Sequence, residues 1–391
     1  MEQDKPVLWN RNFIFACMAN FLMAFPFYML MPTMPVYLVE ELGIDTTLVG
    51  MALSSYTIGV LCVRPFSGYL VDSVSRKPLY LFAFFMFALM FGGYLFAAAV
   101  WSVMAVRYLQ GMSMGLTSVA GNTIAIDVIP SKRRGEGIGF YGFTLNLAMS
   151  LAPLVAVMLY NRYGFHTMVY ACLAIAFMGV WVVYNIRHPR REKTPRPPFS
   201  LDRFILIQAL PSGVTYMLCS VSYGMIVSFA VLYGKEIQVE NPGYFFIYMA
   251  LGVGLVRLIS GKMVDKGHIH LMSVSSMICL VLALTVFALV HNGVVFFVMA
   301  FVIGMGYGTM VPAFQSLVVN VAPHHLRGTA NSTYLTCFDI GVGTGMLSAG
   351  FIASRAGLST AYLTGAGCCF LALLYYIRFA KPAYERNKLV P

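Results

Sequence analysis

One carboxylate in this chain stands where water is hard to reach. Asp339 lies about eleven residues into an apolar stretch at 328–354, whereas every other Asp and Glu falls in a tail, a loop or the end of such a stretch. At helical spacing it shares a face with Ser332, Thr336 and Gly343, a wall of small and polar groups rather than a lipid-facing side. A carboxyl so placed can exchange a proton when access to water alternates; it can equally be a carboxylate held permanently by an Arg or by backbone. Arg107 is a second isolated charge, well inside the apolar stretch at 101–128. An Arg there costs about 2.5–3.5 kcal/mol on insertion scales, so it should face protein and have a partner. Asn20, Asn122, Asn146, Gln208 and Gln315 add uncharged polar groups within apolar stretches, where each suits helix packing as well as substrate contact.

Other chemistries find no residues to carry them. No G-x-x-x-x-G-K-[ST] is present, so nucleotide hydrolysis does not drive a cycle. His324-His325 and His268-x-His270 lie in expected cytoplasmic loops with no third ligand nearby, and the eight cysteines lie in apolar runs without a CxxC. No nucleophile–base pair converges in the spans, so a membrane enzyme is the least favoured class, and neither a metal nor a cofactor is implied.

The elements that position these groups follow from composition. The 391 residues are 59% apolar and 10% charged, against about 25% charged in a typical soluble domain. A soluble enzyme, a nucleic-acid-binding domain and a disordered scaffold are all excluded; the chain is an integral membrane protein. A span needs about 20 apolar residues, and that ruler finds twelve. They lie near 11–39, 47–70, 79–99, 101–128, 136–160 and 166–187, then near 203–233, 244–264, 270–291, 294–320, 328–354 and 359–379. Glu2 and Asp4 precede the first, and no small-residue cleavage site follows it, so it reads as a retained span. The expected organisation is a six-helix bundle over 1–187, a Pro- and Arg-rich cytoplasmic linker over 188–202, and a second bundle over 203–391.

The net charge of +11 is a matter of topology, not of a nucleic-acid partner. Of 26 Lys and Arg, Arg64, Arg107 and Arg257 lie in spans and Arg162, Lys235 and Arg355 on one side. All the others fall on the opposite side, which the positive-inside rule makes cytoplasmic, together with both termini.

The chain also repeats itself. A shift of 193 residues lays Gly59-Val60-x-x-Val63-Arg64 on Gly252-Val253-x-x-Val256-Arg257, and Ser67-Gly68-x-x-Val71-Asp72 on Ser260-Gly261-x-x-Val264-Asp265. The same shift lays Gly111 on Gly304, Gly115 on Gly308, Pro130 on Pro323 and Arg134-Gly135 on Arg327-Gly328. Two halves of like orientation and common shape are implied, the arrangement transporters use to place a substrate near the midplane. Their chemistry differs, since Asp339 falls on Asn146.

Gly68-Tyr-Leu-Val-Asp72-Ser73-Val-Ser75-Arg76-Lys77, between the second and third spans, resembles the major facilitator signature G-x-x-x-D-R-x-G-R-[RK]. A weaker copy, Gly261-Lys-Met-Val-Asp265-Lys266-Gly267, stands where that family repeats it. Val106-Arg107-Tyr-Leu-Gln110-Gly111 resembles the family's second motif. Gly139, Ala148, Ala152-Pro153 and Ala156 resemble the antiporter motif of its drug exporters, with alanine replacing three glycines. Ser73 and Ser75 depart from the signature by one charge and one glycine.

The resemblance implies an all-α fold of twelve spans in two pseudo-symmetric bundles, embedded in the cell's inner or plasma membrane. It implies a monomer whose partners are a small-molecule substrate, protons and lipid. Gly68, Asp72, Arg76 and Lys77, with Asp127, Arg134, Asp265 and Arg327, would form a cytoplasmic gate. Arg107 would join Asp339 in proton coupling. Tyr28, Tyr216 and Tyr223 lie in spans that line the family's cavity, beside Asn20, Asn122, Asn146, Gln208 and Gln315. The function implied is proton-coupled export of small amphipathic or aromatic compounds. Proton-coupled uptake of a sugar or other metabolite is the alternative, and a receptor or channel on the same scaffold is a rival of another class.

Overall fold

A computed structural model describes residues 8–97, 99–130, 133–187, 205–265, 267–323 and 326–389, and among these it is helical without a strand. The helices are α1 (Arg11–Val36), α2 (Thr46–Ser73), α3 (Arg76–Gly93), α4 (Val100–Val128), α5 (Arg134–Tyr184), α6 (Leu210–Glu236), α7 (Phe245–Asp265), α8 (Ile269–Leu289), α9 (Gly293–Asn320), α10 (Arg327–Tyr375) and α11 (Lys381–Asn387). Seven helical stretches are long and apolar enough to cross a membrane by length and composition. Two of them, Gly139–Tyr184 with 46 residues and Thr329–Asn387 with 59, exceed one crossing. Each contains a break at a glycine: Gly164 at φ 79° and Gly357 at φ 80°. That left-handed backbone is open to glycine and costly for other residues. Divided there, α1–α10 make twelve helical rods among the described residues. The two glycines stand 193 residues apart.

Close helix contacts obey the same offset. A Cβ added to Gly59 would sit 2.1 Å from the Tyr108 carbonyl oxygen, and one on Gly252 would sit 2.0 Å from that of Phe301. Gly115 packs on Val60 and Gly308 on Val253 in the same way. Ser67 and Ser260 are both buried. The duplicated sequence therefore encodes a duplicated crossing of two helices, with glycine at the points of closest approach.

The chain forms two compact units, Met1–Thr33 with Ile58–Phe199, and Met34–Thr57 with Ser200–Pro391. In the first, α3 buries an aromatic stripe, Tyr80, Phe84, Phe87, Phe91 and Tyr94, at alternating steps of four and three. Successive rings meet edge-on with centroids 5.3–6.4 Å apart, the geometry aromatic quadrupoles favour. On α5 the small residues Ala148, Ala152 and Ala156 are fully buried and Pro153 lies within the helix. Gly139, by contrast, has no neighbour within 4 Å of an added Cβ. The small face of the antiporter-like stretch is thus a packing surface from Ala148 onward.

In the second unit α6 is buried on every side from Cys219 to Gly234. It packs on α10 through three glycines: added Cβ atoms would lie 2.2 Å from the Val342 carbonyl oxygen at Gly224, 2.3 Å from that of Met217 at Gly341, and 2.0 Å from that of Val221 at Gly345. The start of α2 belongs to this unit and lies against α10, where Gly343 meets Thr57 and Gly350 meets the Thr46 carbonyl.

The chain ends in α11, which folds back on the start of α8. His270 is not in a loop: it is the second residue of α8, with one ring nitrogen 2.7 Å from the Tyr376 hydroxyl and the other 2.6 Å from Glu385. Lys388 pairs with the same carboxylate at 2.6 Å. Lys388 first, and His270 second, hold Glu385 in this tail below the usual carboxylate range. A carboxyl with a depressed value in the folded state stabilises docking above its unfolded value, and that contribution is lost as pH falls through the folded one. Glu385→Gln is therefore expected to speed amide exchange over residues 381–387 at neutral pH. The unaltered chain should show the same loosening only in acid below the ordinary carboxylate range. Unchanged exchange in the variant would mean that the ring contact of Tyr384 with His270 holds the tail.

Candidate functional site

The first unit holds a charge deep in its interior. Arg107, on α4, is fully buried, as is Gln110 one turn on. The Tyr94 hydroxyl donates to Gln110 Oε1 at 2.6 Å, and the guanidinium stands 6.0 Å from the Phe27 ring centroid. Burial of so hydrated a group is tolerable only among polar and aromatic neighbours. Tyr28 is buried beside Phe27, their rings edge-on at 5.1 Å. Asn20 spends its amide on packing: it donates to the Tyr141 carbonyl and to Thr144 Oγ1, both at 3.0 Å, and so ties α1 to α5. Asn122 is half-buried on α4.

Of the residues at the α2–α3 signature, Arg76 and Asp127 form an ion pair at 2.5 Å, both largely buried. This joins the start of α3 to the last turn of α4. Lys77 lies over the Tyr184 ring, 5.6 Å from its centroid. Gly68 and the side chains of Asp72, Arg134, Asn146, Asp265 and Arg327 lie outside the described residues.

The second unit gathers an aromatic cluster from three helices. Tyr216 of α6 is stacked on Tyr334 of α10 at 4.5 Å and 13°, and on Phe338 at 5.7 Å. Tyr334 donates its hydroxyl proton to Tyr216 at 2.7 Å. Tyr223, two turns further along α6, meets Phe338 at 5.6 Å and Tyr307 of α9 edge-on at 5.0 Å. Tyr307 is fixed by a 2.7 Å bond to Ser222. Arg257, half-buried on α7, is in electrostatic range of Tyr334, Tyr223 and Tyr216. Asp339 follows Phe338 in the middle of α10 and is half-buried, one turn before the Gly343–Thr57 contact.

Two of the candidate positions are exposed. Gln208 stands at the head of the apolar stretch Ile207–Glu236, in a 3-10 turn, Ile207–Ala209, and is exposed. Pro211 fixes the start of α6 just after it, because proline suits the first turn, where its missing N–H has no partner to lose. Gln315 lies on α9 and is exposed, its amide nitrogen 3.5 Å from Asn331 Oδ1. Tyr216 and Tyr223 were legible as candidates; Tyr307, Tyr334, Phe338 and Arg257 were not. For Arg257 the signal was present, since it is an intramembrane charge and the repeat partner of Arg64. Among the described residues no group of three His, Cys, Asp or Glu gathers that could hold a metal.

Long apolar helices that carry charges within them, and a half that is built twice, are the features of a membrane transporter. The chain belongs to the Major Facilitator Superfamily, whose sequence pattern matches residues 16–346. It is similar to the staphylopine export protein of Staphylococcus aureus, 23% identical over 83% of this chain and 85% of that one. It is also similar to the multidrug resistance protein MdtG of Escherichia coli, 24% identical over 96% and 95% of the two chains. Among solved structures, the D-xylose–proton symporter superposes with a TM-score of 0.76 at 14% identity, covering 97% of this chain and 99% of that one. The last likeness is one of fold.

Proposed function

We propose that this transporter is a secondary active exporter that couples the outward passage of small amphipathic or aromatic compounds to the entry of protons. The observation that carries this reading is the carboxylate of Asp339, half-buried in the middle of α10, where an ionisable group is costly unless it has a task. Asp339 takes up a proton when its surroundings open to one face of the membrane and releases it to the other. Arg107 is the second member of the coupling pair. The duplicated halves, 1–187 and 203–391, are the moving parts, joined by a cytoplasmic linker. Gly68, Asp72, Arg76, Lys77, Asp127, Arg134, Asp265 and Arg327 bias the cycle at the cytoplasmic side. The names of the two relatives, one an export protein and one a multidrug resistance protein, support export, and the buried rings of α6 and α10 support an aromatic substrate.

The test is the direction of proton movement. Purified protein is placed in liposomes containing a pH-sensitive dye, and a panel of small aromatic compounds of differing charge is added outside. Antiport moves protons against the substrate's direction, so entry of a substrate should alkalinise the lumen. Acidification that accompanies entry would make the protein an uptake system. Saturation-free conduction indifferent to the pH gradient would make it a channel.

A further inference from the structure

Three sulfur atoms meet inside the first unit. Met168 and Cys172 lie one turn apart on the second rod of α5, and Met29 meets them from α1. The Cys172 sulfur stands 3.5 Å from that of Met168 and 3.9 Å from that of Met29. All three residues are fully buried. The Pro26 carbonyl oxygen, also on α1, lies 3.7 Å from the same thiol, so a single S–H proton faces three acceptors. Thr33 closes the set: its hydroxyl donates to the Met29 carbonyl at 3.0 Å and lies 4.0 Å from the Met168 sulfur. Other thiols of the chain meet oxygen instead, Cys369 the Ser222 hydroxyl at 3.1 Å and Cys279 the Val302 carbonyl at 3.5 Å. Cys172 and Met29 stand 143 residues apart in the chain, which is why no spacing motif betrays the set.

From this geometry we infer that Cys172, Met168 and Met29 form a binding site for a monovalent soft metal ion, copper(I) or its analogue silver(I). Thiolate and thioether sulfurs select such ions over harder ones. At a metal–sulfur distance of about 2.3 Å, three sulfurs set around an ion in one plane stand about 4.0 Å apart, close to the two separations observed. Binding exchanges one cation for another. The Cys172 S–H bond breaks, a Cu–S bond forms, the proton leaves to water, and neither metal nor sulfur changes oxidation state. A thiolate and one monovalent cation sum to zero charge, which suits an interior where a net charge is expensive. Zinc(II) would leave a net positive charge there and would lack a fourth sulfur ligand. The bound ion clips α1 to the second rod of α5 within the first unit. The site does not depend on what the protein transports or in which direction.

The test is retention of copper(I) by the purified full chain in detergent, kept reduced with ascorbate and challenged with the chelator bathocuproine disulfonate. Three quantities are read: copper retained per chain, the sulfur neighbours of the metal by X-ray absorption, and the change in unfolding temperature on loading. The unaltered protein is expected to keep one copper with three sulfur neighbours and to unfold at a higher temperature when loaded. Cys172→Ser should lose that copper, whereas Cys369→Ser should keep it. Met168→Leu and Met29→Leu nearly conserve volume, so the packing survives them. Each should weaken retention at least about tenfold, the lower end of what even an outer-shell change costs a metal site, and each should remove one sulfur neighbour. Silver(I) should displace the copper and zinc(II) should not. A thiol that merely packs in the core predicts otherwise: no copper retained by the unaltered protein, or equal retention in both methionine variants, would overturn the assignment, as would displacement by zinc(II). If Cys172→Ser is not monodisperse, the two methionine variants decide by the same criterion.

Discussion

Asp339→Asn is expected to abolish substrate accumulation driven by a proton gradient while leaving substrate counterflow largely intact. Asparagine has nearly the same shape as aspartate and still donates and accepts hydrogen bonds, but it cannot titrate. Counterflow exchanges one substrate molecule for another and needs no net proton movement, whereas uphill transport needs a group that carries the proton between faces. The size of the effect follows from the driving force. One charge moving through 100 mV supplies about 2.3 kcal/mol, which at about 1.4 kcal/mol per tenfold sustains a gradient of roughly fiftyfold. In the variant that ratio should collapse toward unity. Asp339→Glu, which retains a carboxyl on a longer stem, should keep part of it. Because Asp339 is half-buried one turn from the Gly343–Thr57 contact, the change is small enough for the helix packing to survive. Full gradient-driven accumulation in Asp339→Asn would remove this residue from the mechanism.

What the sequence shows and what it hides divide along a physical line. Charges and glycines are legible because each obeys a local rule. An Arg in an apolar helix must be buried in protein, and Arg107 is. Glycines repeated at one offset must serve one kind of crossing, and Gly59 and Gly252 do. Gly164 and Gly357 lie at the same offset, but only the backbone shows that both are left-handed breaks. Helix faces are another matter. Since α6 is buried all round, its residues carry no polar–apolar period from which a face could be read. The cluster of Tyr216, Tyr334 and Phe338 depends on which helix lies beside which, and residues far apart in sequence carry no local trace of that. Polar residues such as Asn20 remain ambiguous in sequence for a similar reason. An amide in an apolar helix needs a partner, and whether a neighbouring helix or a substrate provides it is decided by packing. Gln208 illustrates a third limit: hydropathy runs smoothly through its neighbours, and the helix boundary is set instead by Pro211.

The shape of the two halves is thus repeated while their chemistry is not. The shared glycine contacts build the same helix crossing twice, which a transporter needs if both halves are to move by the same swing. The first half then carries a charge closed in by aromatic and amide groups, and the second carries Arg257 on α7 and Asp339 on α10.

That division makes the glycine contacts sensitive points for stability, those of α6 against α10 among them. A methyl group at Gly345 would lie 2.0 Å from the Val221 carbonyl oxygen, more than 1 Å inside an ordinary van der Waals contact. The obstacle is backbone on both sides, so no rotamer change relieves it; the helices must separate. Separation there also opens the Gly224–Val342 and Gly341–Met217 contacts, which lie along the same crossing. Gly345→Ala should therefore cost about 3 kcal/mol, the upper part of the usual range for overpacking, and appear as lost monodisperse protein and a lowered unfolding temperature. Gly254→Ala on α7 is the matched control, because nothing lies within 4 Å of its added Cβ. There the better helix propensity of alanine should leave stability unchanged or raise it by up to about 1 kcal/mol. The two substitutions are chemically identical, and equal effects would mean that α6 and α10 do not meet backbone to backbone.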